Sequence, residues 1–439
     1  MGIIFLFLSP FIGMIVGLMP GVGSTLALLL LYPFLENVNA FFLIVFYAIL
    51  VNSREFSSSV SALNFGLLGE PTSIPALKER QTILSAGKVL TALKNTMIGS
   101  LFGMFIGLVI LISAVWFSSH FPYLMRSDVM GFFILMTIVF LIFWIGNRWY
   151  VNLILISAGF LIGLIGWNWI IQKNILTFEN SYLYGGIPTL PLLLGIYAIP
   201  KLFEVIEIKI PQKIIAIGKS KDSVNKGAIL RGGIIGAICG LIPFIGAGIS
   251  SLTAHFIESK IKKGTKVQKS LSRLTAAETA NNAAQVSILI PLLILGLAVQ
   301  PSELILLDLL ESKQWNQMGI INPMGQTVFP YAFFFFLICS LIIGCLITAF
   351  FCYNAVKKLS YLFSCYSKQI IYSMFFLLLI NILWIGFESD QTLYYSVVFL
   401  ISLTIGFCLN KKIDMVPFVV VFLLEKHFIE ILFRLPNLY

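Results

Sequence analysis

The amino-acid sequence predicts an all-α fold, a polytopic membrane helical bundle built from two homologous repeats with broken or re-entrant helices. Three observations predict it: an apolar composition, a series of membrane-length apolar runs, and an internal duplication. Of 439 residues, 59% are hydrophobic and 11% are charged, and the mean hydropathy is +0.97. A chain with so few charges has no polar shell with which to stay in water. Leu101–Phe117, Val129–Gly146, Ala332–Tyr353 and Ile370–Phe387 are apolar runs of about 17 residues or more, long enough to cross a hydrocarbon core as helices. Short polar connectors separate them, and no stretch alternates as a lipid-facing barrel strand must.

The formal net charge of +10 is concentrated in loops, which points to orientation rather than to a nucleic-acid partner. Lys201–Arg231 carries seven Lys/Arg against three acids, and Glu258–Arg273 six against one. Both segments are expected on the cytoplasmic side. The six cysteines have no CxxC spacing and read as small packing residues, with no metal site implied. Met1–Leu8 is apolar without a basic leader or a small-residue cleavage site, so it is expected to remain as a helix.

Shifting the sequence by 223 places Ile12, Gly13, Ile15, Gly17, Leu18, Pro20 and Gly23 on Ile235, Gly236, Ile238, Gly240, Leu241, Pro243 and Gly246, seven identities in twelve positions. The same shift places Glu55 on Glu278. Small drifts then bring Gly107 onto Gly344, Trp144-Ile145-Gly146 onto Trp384-Ile385-Gly386, and Pro191 and Glu204 onto Pro417 and Glu430. Duplicated halves are a common plan for transporters. The expected organisation is a first repeat over 1–210, a basic cytoplasmic linker over 211–223 and a second repeat over 224–439.

Each half opens with an interrupted apolar run, Gly17-Leu-Met-Pro-Gly-Val-Gly23 and Gly240-Leu-Ile-Pro-Phe-Ile-Gly246. Pro and Gly break the helical hydrogen-bond ladder, and in lipid such a break must be buried in protein or line a wet cavity. It also exposes backbone N–H groups and a helix N-terminus, which suit a carboxylate. Arg231–Lys260 has basic residues at both ends, as a re-entrant hairpin would. Candidate substrate-binding residues at the breaks are Pro20, Gly21, Val22, Gly23, Ser24, Gly246, Ala247 and Gly248. A lone break of this kind is ordinarily a packing kink; two in register favour a binding role.

Behind each break follows a polar motif, Glu55-Phe-Ser-Ser-Ser59 or Glu278-Thr-Ala-Asn-Asn282. Ser57, Ser58, Ser59, Asn281 and Asn282 are further candidates for holding a carboxylate or a cation. Acids within a membrane segment point to function, so Glu55 and Glu278, with Gly69 and Thr72 of the next motif, are candidates for ion coupling. The competing readings are structural: Glu55 pairs with Arg54, and Glu278 caps a helix start near Arg273. His120, His255 and His427 stand apart, and no HExxH, GxSxG or paired-carboxylate pattern suggests an enzyme.

On these motifs the chain resembles the large, TctA-type membrane subunit of the tripartite tricarboxylate transporter family. The resembling residues are Gly17–Gly23, Leu68-Gly-Glu-Pro-Thr-Ser73, Arg231-Gly-Gly-Ile-Ile-Gly236, Gly240–Gly248, Ala276-Ala-Glu-Thr-Ala-Asn-Asn-Ala-Ala284 and Leu289-Ile-Pro291. The resemblance implies uptake of a tricarboxylate or other carboxylate as a multi-pass protein of the inner (plasma) membrane. It also implies a periplasmic solute-binding protein and a small membrane subunit as partners, no cofactor, and Na⁺ or H⁺ as the coupling ion of a symport. Phe244 and Ala277 depart from the family pattern, and they favour the alternative of a non-transporting scaffold or receptor-like protein on the same fold.

Overall fold

The computed structural model describes residues 2–434 except 20–22, 66–70, 121–126, 145–146, 169–171, 201–202, 204–224, 243–245, 262–263, 296–297, 299, 312–330, 389 and 410–411. The expected linker over 211–223 therefore lies outside the described residues, as do Pro20, Gly21, Val22 and Gly69.

The apolar runs are helices. In chain order come α1 (Gly2–Leu18), α2 (Ser24–Leu35), α3 (Ala40–Phe65), a 3-10 turn (Pro71–Ser73), α4 (Ile74–Ser85), α5 (Val89–His120), α6 (Ser127–Trp144) and α7 (Trp149–Gly163). After a short ribbon, α8 (Thr189–Leu193) runs into a π turn (Leu194–Ala198). Beyond the linker stand α9 (Lys226–Gly240), α10 (Gly246–Ser259), α11 (Lys266–Ser287), a π turn (Pro291–Leu295), α12 (Pro301–Glu311), α13 (Tyr331–Glu388), α14 (Thr392–Leu409) and α15 (Val416–Arg434). Helix α13 bends at Tyr366, whose φ of −113° interrupts the helix between the two apolar runs read from the sequence. A short ribbon departs from the all-α expectation: β1 (Gly166–Asn168) pairs antiparallel with β2 (Lys173–Ile175). At three residues a side it is too short to leave an alternating pattern in the sequence.

Among the described residues, four helices have spans long and apolar enough to cross a membrane, Ala40–Leu63, Val89–Phe117, Ala332–Phe351 and Thr392–Leu409, and several shorter apolar helices accompany them. The outer surface is apolar, as lipid requires. Phe102, Phe105, Val109, Ile112 and Trp116 line one side of α5, and Leu230, Ile234 and Ile238 one side of α9, all exposed.

The interior holds the polar residues instead. From Ser270 to Ser287 every residue of α11 is buried save Arg273, although the segment is rich in Ser, Thr, Asn and Ala. Such a helix is accommodated only where neighbours supply hydrogen bonds and approach closely. Two glycine stripes allow the approach. Gly99, Gly103 and Gly107 set α5 against Thr279, Ala283 and Val286, and Gly232, Gly236 and Gly240 set α9 against Ala276, Ala280 and Ala284. A Cβ on Gly240 would come within 2.6 Å of the Ala284 carbonyl oxygen. Likewise Gly13 and Gly17 bring α1 onto α3 at Leu50, Ser53 and Arg54.

Both expected breaks separate two helices. Helix α1 has 17 residues and α2 has 12, about 25 Å and 18 Å at 1.5 Å per residue, each short of a hydrocarbon core of about 30 Å. In the second break Gly246 opens α10 at φ +51°, and a Cβ placed there would meet no atom closer than 3.8 Å. Backbone conformation rather than crowding therefore demands glycine there.

Two ion-pair groups tie the polar ends of these helices. Arg231 Nε and Nη2 donate to Glu258 at 2.9 Å each, joining the opening of α9 to the close of α10 so that the two form a hairpin. Ser272 of α11 donates to the same carboxylate at 2.6 Å. Glu79 of α4 accepts from Arg273 of α11 at 2.9 Å and lies 2.8 Å from His255 Nε2 of α10. Burial works against the charge on Glu79, but the hydrogen bonds from His255, Ser270 and Arg273 outweigh it and hold the carboxyl at about 2 rather than 4.5.

Two outcomes follow from this packing. Gly236→Leu is expected to wedge α9 from α11 and cost about 3 kcal/mol, seen as a lower thermal midpoint in detergent, whereas Ile234→Ala on the exposed face leaves the midpoint nearly unchanged. A folded-state pKa below the unfolded value stabilises above the unfolded value and loses that contribution as pH falls through the folded one. Glu79→Gln is therefore expected to destabilise the protein at neutral pH, with the gap to the parent closing as pH falls from about 4.5 toward 2; a constant gap would assign the effect to packing.

Candidate functional site

Helices α3 and α11 meet in the middle of the bundle, and the polar motifs read from the sequence face each other there. Glu55 is wholly buried. It pairs with Arg54, accepts from Asn281 Nδ2 at 2.9 Å through one oxygen and from Gln285 Nε2 at 2.7 Å through the other. Asn281 and Gln285 are four residues apart, hence on one face of α11, and that face is turned to Glu55. Arg54 also donates from Nη1 to Ser24 Oγ, 2.9 Å away at the start of α2. One guanidinium thus links the buried carboxylate to the first helix break.

Glu278 has a different setting. Ser59 donates to its Oε1, and Oε2 has no hydrogen-bond partner among the described residues. Asn282, one turn on, donates to Ser100 Oγ of α5 at 2.9 Å and to the Glu278 carbonyl at 3.0 Å. Beside Asn282 a small cavity of about 10 Å³ is lined by Asn52, Ser53, Ser100, Asn282 and Thr348 together with apolar side chains. That is about the room one water needs. Ser58 reaches Ser73 Oγ at 3.3 Å, and Ser251 of α10 donates to the Thr72 carbonyl at 2.8 Å, which fastens the 3-10 turn to the α9–α10 hairpin.

The candidates sort by position. Between α3 and α11 the candidates fall in two hydrogen-bonded groups, Ser24, Glu55 and Asn281 around Arg54, and Ser59, Glu278 and Asn282 reaching Ser100, with Ser58 and Thr72 nearby. Ser57 joins neither: its hydroxyl donates to the Ser53 and Arg54 carbonyls at 2.9 and 3.1 Å, against α1. Gly23 stands just before α2, while Gly246, Ala247 and Gly248 form the first turn of α10, where Ala247 accepts from Ser250 at 2.8 Å. Of the two structural readings of the acids, the Arg54–Glu55 pair is present. The helix-start reading of Glu278 is not, because Glu278 sits deep inside α11 and Arg273 is engaged by Glu79.

Sequence reasoning missed Gln285 and Ser100 as partners. Gln285 lies one turn beyond Asn281, a spacing that a helical projection of α11 would have shown; Ser100 comes from a separate helix and left no signal. The glycine contacts differ at the two acids. Glu55 lies between the residues that face Gly13 and Gly17, whereas Glu278 lies between those that face Gly232 and Gly236. Relative to the glycines that the sequence shift pairs, the two carboxylates therefore stand more than one helical turn apart.

The buried pair sets a stability test. Removing one partner leaves an uncompensated charge, so Arg54→Met and Glu55→Gln are each expected to cost about 3–5 kcal/mol. The double variant should lose less than the sum of the two in denaturation in detergent; additivity would mean that the pair is not coupled.

A search of solved structures returns no match for the chain. Among curated proteins it is similar to an uncharacterised 52.8 kDa protein in the TAR-I ttuC' 3' region of Agrobacterium vitis, 22% identical over 314 residues that cover 68% of this chain and 61% of that protein. The chain thus spans about three-fifths of the length of that relative. The profile described as the Tripartite tricarboxylate transporter TctA family matches residues 3–420. With its membrane-length helices and a match over nearly its whole length, the chain belongs to the tripartite tricarboxylate transporter TctA family.

Proposed function

We propose that this chain is the membrane carrier of a tripartite system, taking up a small carboxylate by alternating access and drawing on an ion gradient. It works in the inner membrane with a periplasmic solute-binding protein and a small membrane subunit. The observation that carries the reading is the position of Arg54, which joins Ser24 at the head of α2 to the buried Glu55. An incoming carboxylate would meet Arg54 beside the backbone N–H groups of a helix start, a setting that favours anions. Glu55 competes for the same guanidinium, so binding and release can be exchanged between the two carboxylates.

A repeated architecture supports the carrier reading. Helix α1 packs on α3 as α9 packs on α11, and α13 lies on α3 as α5 lies on α11. Helix α2 meets α12 as α10 meets the 3-10 turn and α4, and α7 meets α15 as α14 meets α8 and its π turn. These matched contacts support a duplication over 1–210 and 224–439. The α9–α10 hairpin, closed by Arg231 and Glu258, enters and leaves on one side as a re-entrant element. The helices that follow the two breaks, α2 and α10, touch the interior helices through Ser24 with Arg54 and Ser250 with the Ala280 carbonyl, and paired broken helices are a usual setting for a transported solute.

Radiolabelled citrate, C4-dicarboxylates and aromatic acids, offered to proteoliposomes under imposed Na⁺ or pH gradients with candidate binding proteins, test the reading. Saturable accumulation that collapses with the gradient is expected. In Ser58→Leu/Asn282→Leu, accumulation should fall at least tenfold; an unchanged apparent affinity in that variant would place the site elsewhere.

A further inference from the structure

The two buried acids of the interior are treated unequally. Glu55 has a cation and two amide donors. Glu278, 1% exposed, receives one neutral hydroxyl from Ser59 and has a second oxygen with no partner among the described residues. The asymmetry is written in the sequence, because the shift that superposes the two acids places Arg54 on Ala277. Among the described residues, no cation turns toward Glu278 from the elements packed on α11. On α3, Arg54 is bound to Glu55; Glu79 of α4 holds His255 of α10 and Arg273 of α11 itself; on α9, Arg231 holds Glu258. Arg80 of α4 donates to the Leu63 carbonyl at 3.0 Å, and Lys78 of α4 and Lys94 of α5 are exposed. The charged group that Glu278 does feel is Glu55, which repels a second negative charge.

An isolated carboxylate is expelled from low dielectric or takes up a proton. With Glu278 neutral, Arg54, Glu55 and Glu278 carry no net charge; with Glu278 ionised, the buried group carries one unbalanced negative charge. We propose that Glu278 is the proton-binding site of the carrier, holding the coupling proton in this conformation and losing it to water when rearrangement of the two halves opens the interior. This assignment rests on the carrier reading for its role in transport, and it names the proton rather than Na⁺ as the coupled ion. A protonated Glu278 also uses its second oxygen as a donor, which the single hydrogen bond from Ser59 leaves room for. The water-sized cavity next to Asn282, one turn away, offers a first stop for the departing proton.

The test combines spectroscopy with transport. Infrared titration of the purified, reconstituted chain is expected to show the carbonyl stretch of a protonated carboxyl at neutral pH, bleached at alkaline pH and missing from Glu278→Gln. Because Gln mimics the neutral acid, that variant should keep the parent's thermal midpoint. Accumulation driven by a pH gradient should fall at least tenfold in it. The assignment is overturned if the Glu278→Gln spectrum matches the parent, if the variant unfolds, if its pH-driven accumulation is intact, or if accumulation by the parent follows Na⁺ alone. A parent that carries no carboxylate under any gradient would instead defeat the carrier reading, while the infrared band still decides whether Glu278 holds a proton.

Discussion

A charged pair inside a lipid-embedded bundle has to be surrounded by donors and sealed from the membrane, and much of this architecture answers to that requirement at Arg54 and Glu55. The two side chains are adjacent on α3 and buried. Ser24 from α2 and Asn281 and Gln285 from α11 supply hydrogen-bonding partners to the pair. A helix that supplies amides to such a pair is itself too polar to face hydrocarbon. Hence α11 is enclosed on several sides, and its enclosing helices need glycine where they cross it. The polar centre and the glycine stripes are thus two parts of one solution, since buried amides are tolerated only where backbones approach closely enough to exclude lipid.

The same requirement explains the distribution of apolar surface. Helices α5 and α9 each turn glycine inward and Phe, Trp, Leu or Ile outward. Their inward faces are smooth and small, and their outward faces are bulky. Dispersion and shape, rather than a hydrophobic drive, hold such helices together in a lipid solvent. The ion pairs at the polar ends, Arg231 with Glu258 and Glu79 with Arg273 and His255, sit where α4, α9, α10 and α11 converge. They fasten the hairpin of the second half to the first half without adding charge to the centre.

On the proposed reading, duplication supplies a near-symmetric frame, and the differences between its halves supply polarity of function. One carboxylate has a fixed counter-ion and the other has a neighbouring alanine. They also stand more than a turn apart relative to the glycines that flank them. A frame with two equal acids would bury two equal charges; this one holds a compensated charge near an acid that has no counter-ion among the described residues, at a place joined by Ser24 to a helix start.

Much of this was legible from the sequence because lipid imposes simple rules on it. Run length and apolarity reveal membrane helices, Pro-Gly interruptions reveal where α1 and α9 end and α2 and α10 begin, and a repeated Glu followed by small polar residues reveals the two interior helices. The short ribbon at Gly166–Ile175 was not legible, since three-residue strands carry no period. The partnerships were not legible either. That Ser57 turns to α1 while Ser59 turns to Glu278, that Glu55 takes its amides from the opposite half, and that Arg273 belongs to Glu79 are matters of helix rotation and crossing. By itself the sequence determined that the chain is a membrane bundle with interrupted helices and acids inside its apolar segments, because hydropathy and helix-breaking residues act locally. Only the tertiary structure decided which acid meets a guanidinium and two amides and which meets, among the described residues, a single hydroxyl, because that depends on which side chains of distant helices arrive at the same point.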